Sequence, residues 1–83
     1  MHQRLVKFID HVVDSRRRWI DLERATGISR MRWRNAYIGK QRVNGDMLEA
    51  IAKRWPQYLC WLMAGNAAVG AEQRDLEADA IGP

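Results

Sequence analysis

The tightest constraint on this chain is the spacing of its apolar residues and how soon each run is cut off. Leu5, Phe8, Ile9, Val12 and Val13 fall at i, i+3, i+4, i+7 and i+8, one stripe of a helix whose other positions carry Arg4, Lys7, Asp10 and Asp14. Ser15 and the arginines after it end that pattern. A second helix fits about residues 18–26, with Trp19 or Ile20, Leu22 and Ala25 inward. It stops at Gly27, because glycine accepts the left-handed conformation that other residues resist. Ile28 then turns inward, and Ser29 is a good N-cap, since its hydroxyl can accept a free backbone N–H. The third helix covers about residues 30–38: Trp33, Ala36 and Tyr37 form a narrow inward stripe, and Arg30, Met31, Arg34, Asn35 and Ile38 lie off it.

Gly39 ends that helix, and residues 39–44 form a loop. Asn44 is a candidate N-cap, with Asp46 complementing the helix dipole in the first turn. A fourth helix of about residues 45–55 buries Met47, Leu48, Ile51, Ala52 and Trp55. Pro56 suits the first position of a fifth helix, which holds Tyr58, Leu59, Trp61 and Leu62 and ends near Gly65 and Asn66. No run alternates with the period of a strand. The expectation is an all-α domain of five helices over residues 1–65, then a mildly acidic tail over 66–83, flexible or partly helical.

The length of 83 residues excludes large multi-layer enzyme folds. A chain this short buries only about 60% of its unfolded surface, so its core is economical or completed by a partner. No apolar run approaches the roughly 18 residues needed to span a bilayer, and no charged-then-apolar leader is visible. The single cysteine, Cys60, cannot form an internal disulfide and reads as a small buried filler on an apolar helix. A cytoplasmic protein is expected. His2, His11 and Cys60 are scattered without metal-ligand spacing, so neither a metal nor a cofactor is expected. No Ser/His/Asp set, glycine-rich phosphate loop or carboxylate pair appears, so the chain does not read as an enzyme.

The overall charge of +4 is modest, but its distribution is uneven. Residues 16–42 hold Arg16, Arg17, Arg18, Arg24, Arg30, Arg32, Arg34, Lys40 and Arg42 against Asp21 and Glu23, a net of +7. Residues 1–15 and 43–65 balance, and 66–83 are net −3. A basic block confined to one third of the chain suggests a polyanion-binding surface. Arginine dominates it, and its planar fork suits phosphates and guanine edges better than lysine does. Two short helices joined through a glycine turn, the second rich in arginine, have the form of a helix-turn-helix, whose second helix enters the DNA major groove.

The run Leu22-Glu23-Arg24-Ala25-Thr26-Gly27-Ile28-Ser29, then Trp33, Asn35, Gly39-Lys40-Gln41-Arg42 and Leu48-Glu49-Ala50-Ile51-Ala52, resembles the lambda-repressor/Cro-like (XRE-type) helix-turn-helix proteins. The segment from Trp55-Pro56-Gln57-Tyr58 to Gly65 is similar to the end of that domain in small phage- and prophage-associated members. The resemblance spans about residues 3–65, and its specificity lies in the ordered set of elements rather than in one motif. It departs from the family at Glu23, where a small residue is usual, and at Trp33, where Ile or Val is usual.

The resemblance implies a lambda-repressor-like fold with Arg30, Met31 and Asn35 reading bases, and Arg32 flanking them and also able to reach a base. It implies phosphate contacts from Arg17, Arg18, Trp19 and Ser29, and from Lys40 and Arg42 in the loop. Arg34 points sideways, with a salt bridge to Asp21 or Glu23 competing against DNA contact. Trp55, Tyr58, Trp61 and Leu62 either close the core or form a two-fold interface. The resemblance favours the interface for at least part of the cluster, placing two recognition helices about 34 Å apart on a palindromic operator. The expected function is a sequence-specific, homodimeric, double-stranded DNA-binding transcriptional regulator, repressing by promoter occlusion. The alternatives are a protein-docking module, such as an antitoxin or phage-encoded inhibitor, that uses the aromatic fifth helix, and a sequence-indifferent nucleic-acid binder.

Overall fold

The computed structural model describes residues 1–65. Its element order is α1 (His2–Val12), α2 (Arg18–Thr26), α3 (Arg30–Tyr37), α4 (Gly45–Arg54), a 3₁₀ turn (Pro56–Tyr58) and α5 (Leu59–Ala64), with no strand among the described residues. The expectation of a flexible or partly helical tail over 66–83 lies outside the described residues. No helix among those described is long and apolar enough to cross a membrane.

Each helix end follows from local chemistry. Gly27 adopts φ 74° after α2, and its N–H bonds the Glu23 carbonyl. Ser29 accepts from the Met31 N–H at 3.2 Å, and Asn44 accepts from the Met47 N–H at 3.0 Å, so both expected caps form. The fifth element differs from the single helix expected after Pro56. Trp55 leaves helical geometry (φ −133°, ψ 59°) because a residue before proline is pushed out of the α region, and Pro56 opens a 3₁₀ turn instead. Only Leu59–Ala64 then remain for α5.

The core joins the apolar stripes of all five helices. Leu5, Phe8 and Ile9 of α1, Leu22 of α2, Trp33 and Ala36 of α3, Met47 and Ile51 of α4, and Trp55, Tyr58, Trp61 and Leu62 at the chain's far end are all buried. Each large apolar side chain so removed from water contributes about 1.5–3 kcal/mol before entropy is charged against it. Phe8 organises the aromatic end, meeting Trp55 edge-on at 5.3 Å and Tyr58 at 6.4 Å between ring centroids. Arg4 ties α1 to the end of α5: its Nε donates to the Leu62 carbonyl at 2.8 Å and its Nη2 to the Met63 carbonyl at 3.2 Å. Those carbonyls lie in the last turn of α5, where a cation suits the helix dipole. Cys60 is half-buried rather than enclosed.

Candidate nucleic-acid interface

The junction between α2 and α3 is held by one hydroxyl. Thr26 Oγ1 donates to the Leu22 carbonyl at 2.6 Å, and accepts the Ile28 N–H at 3.2 Å and the Trp33 Nε1–H at 3.0 Å. Trp33 is thereby locked into the core with no exposed surface, which excludes it as a stacking platform for unpaired bases. The turn is short because Gly27 reverses the chain and Ile28 packs inward against the core. This is why the direction of α3 relative to α2 is fixed.

With Trp33 and Ala36 buried and Tyr37 half-buried, the opposite side of α3 faces solvent. One turn apart on that side lie Met31 (53% exposed), then Arg34 and Asn35, then Ile38 (44% exposed). Asn35 is half-buried, and its carbonyl accepts the N–H groups of Lys40 (2.8 Å) and Gln41 (3.3 Å), which folds the loop back against the helix end. Gly39 makes this possible at φ 84°. Lys40 and Arg42 project from that loop and are exposed, while Arg32 is half-buried on one flank of α3. Arg32, Arg34, Lys40 and Arg42 carry no ion pair among the described residues. Arg34 and Ile38 therefore join the outward face, and the signal for both is the helical spacing that sends Trp33, Ala36 and Tyr37 inward.

Of the two carboxylates weighed as partners for Arg34, Asp21 and Glu23, the second pairs with Arg30. Glu23 accepts the Arg30 backbone N–H at 3.0 Å through Oε1 and its Nη2 at 3.0 Å through Oε2. Arg30 is the first residue of α3, so its N–H has no acceptor within the helix and the nearby carboxylate supplies one. That N–H, and then the guanidinium, hold the Glu23 carboxyl below its usual 4.5.

The phosphate expectations divide. Arg17 is exposed, with a loose 4.0 Å approach to Asp21. Arg18 turns inward: its Nη2 meets Asp10 Oδ1 at 2.7 Å, its guanidinium lies 4.9 Å from the Tyr37 ring centroid, and only 17% of its side chain is exposed. Tyr37 completes the cluster by donating its hydroxyl to the same Asp10 oxygen at 2.9 Å. Burial, then that bond and the Asp10 charge, raise the Tyr37 hydroxyl above its usual 10.0. Arg18 thus ties α2 to α1 and α3. The Trp19 indole is also structural, half-buried and edge-on to Tyr37 at 5.2 Å, so any anion contact there falls to backbone N–H groups of α2's first turn, which no side chain caps. Ser29 already uses its oxygen as the α3 cap, leaving its hydroxyl proton for a phosphate.

Of the two expectations for Trp55, Tyr58, Trp61 and Leu62, core closure is the one the geometry fits: Trp61 and Leu62 are fully buried, and Trp55 and Tyr58 keep only 7% and 8% of their surface exposed. Their excess of aromatic area is absorbed because the 3₁₀ turn packs Tyr58 and Trp55 around Phe8. No cluster of three His, Cys, Asp or Glu side chains that could hold a metal occurs among the described residues. No known family model, curated protein or solved structure matches this chain.

Proposed function

We propose that this chain binds double-stranded DNA with sequence preference, α2 and α3 acting as a helix-turn-helix and α3 entering the major groove, and that it serves as a small transcriptional regulator by occluding promoters. The observation that carries the reading is the outward side of α3: Met31, Arg34 and Asn35 flanked by Arg30 and Arg32, with Lys40 and Arg42 exposed beside it. A groove about 12 Å wide admits one helix, and this helix presents both kinds of group that a base edge can answer. Arg30, Arg34 and Asn35 supply forked donors and acceptors for guanine or adenine. Met31 and Ile38 supply apolar contact for a thymine methyl. Lys40, Arg42 and Arg17, with the free N–H groups of α2's first turn, serve the phosphates, which fix position without reading sequence. A second copy on a palindromic operator would have to meet the first through surfaces other than the buried aromatic cluster.

Two single variants separate reading from anchoring. Asn35→Ala should relax preference at one base position while leaving affinity for random duplex unchanged. Lys40→Ala should weaken every duplex alike and reduce the salt slope by about one. Equal losses on all sequences from both variants would rule out base reading by α3.

A further inference from the structure

The contact between Glu23 and Arg30 adds only modestly to stability. Both side chains are about half exposed, and pairs of that kind are worth little in water. What the contact does is geometric. One carboxylate grips the same residue twice, at the main-chain N–H that starts α3 and at the end of the side chain, both at 3.0 Å. An unheld arginine at a helix start samples many rotamers and loses that freedom on binding. Here the guanidinium is fixed by Nη2 alone, and its remaining N–H donors make no hydrogen bond or ion pair among the described residues. Glu23 itself stands one α-helix away, on α2, so the aim of Arg30 is set by the packing of α2 against α3 rather than by α3 alone. A carboxylate at this face also opposes phosphate, so it would weaken indiscriminate binding to any duplex.

We infer that Glu23 is a positioning residue that holds the Arg30 guanidinium ready for the O6/N7 edge of a guanine and holds down binding to unrelated sequence. The inference rests on the DNA-binding reading above. It assigns to one acidic residue inside the basic block a part of the specificity.

The test uses the duplex that the wild-type chain enriches from a random-sequence library, compared by fluorescence anisotropy with a random duplex of equal length at fixed salt. Glu23→Ala should lower the ratio of the two affinities about tenfold, toward the low end of what one well-made arginine–guanine fork is worth. Binding to the random duplex should hold or tighten. Glu23→Gln, whose amide oxygen can still accept the Arg30 N–H, should keep the wild-type circular dichroism spectrum and still lose most of the preference. In an Arg30→Ala background, Glu23→Ala should lower the ratio no further. A ratio unchanged within about twofold in Glu23→Ala, or an equal loss in the Arg30→Ala background, overturns the positioning role while the DNA reading stands. A wild type that enriches no duplex removes both.

Discussion

Replacing Thr26 by valine exchanges one oxygen for a methyl of similar size, and the structure says what that oxygen holds. Its loss leaves the Trp33 Nε1–H and the Ile28 N–H without acceptors, while the Leu22 carbonyl loses only its hydroxyl donor. An unsatisfied buried donor costs about 1–3 kcal/mol. Trp33 is fully buried and incurs most of that range, whereas Ile28 is half-buried and can recruit water. The total comes to about 2–4 kcal/mol, against a stability of about 3–10 kcal/mol for a domain of this size. In urea, with a slope near 1 kcal/mol/M for so small a domain, the unfolding midpoint should fall by about 2 M or more. Thr26→Ser keeps the oxygen and should recover most of the loss. Because the same hydroxyl sets the angle between α2 and α3, sequence preference should suffer in Thr26→Val even under conditions where it is folded. A midpoint within about 0.3 M of wild type would show that these bonds do not hold the junction, and the account of how α3 is aimed would fail.

Trp61→Ala should lower the urea midpoint by about 3 M or more at every protein concentration, because deleting a fully buried tryptophan costs about 3–5 kcal/mol; a midpoint equal to wild type would remove Trp61 from the core. Arg18→Ala should lower the melting temperature and leave the salt slope of duplex binding unchanged, whereas Lys40→Ala should do the reverse. Acid should remove the Glu23 contribution. Its carboxyl is held below the usual 4.5, so the stabilisation is present above that value and is lost as pH falls through the lower folded value. Alkali acts on Tyr37 in the opposite sense: its hydroxyl is raised above 10.0, so its contribution is intact below pH 10 and declines as pH rises toward the folded value. Urea midpoints across both ranges, with Glu23→Gln and Tyr37→Phe flattening the respective slopes, check each sign.

The helices themselves were legible because their ends are written in single residues. Gly27, Ser29, Gly39 and Asn44 each act through their own backbone or first turn, and α2 begins and ends where spacing alone puts it. What could not be read was the choice of partner among similar charges. Arg18 and Arg17 are neighbours of identical chemistry, yet one lies against Asp10 and Tyr37 from two other helices and the other faces water. Likewise, Glu23 is within sequence reach of both Arg34 and Arg30, and it pairs with Arg30 only because a free N–H at the start of α3 comes with that side chain. The aromatic cluster defeats composition for a related reason. Whether Trp55 and Tyr58 are surplus depends on the turn forced by Pro56, which packs them around Phe8 rather than extending them along one helix. Long-range packing decides such cases, and local spacing carries little information about it.

The measurement that bears most directly on the central claim is enrichment from a random duplex library by the wild-type chain, followed by affinity of the enriched and random duplexes as salt is varied. Wild type should enrich a defined sequence, bound at least about a thousandfold more tightly than random duplex at physiological salt, with preference at one base position lost in Asn35→Ala. Equal affinity for every duplex, with a salt dependence that accounts for all of the binding, would contradict it.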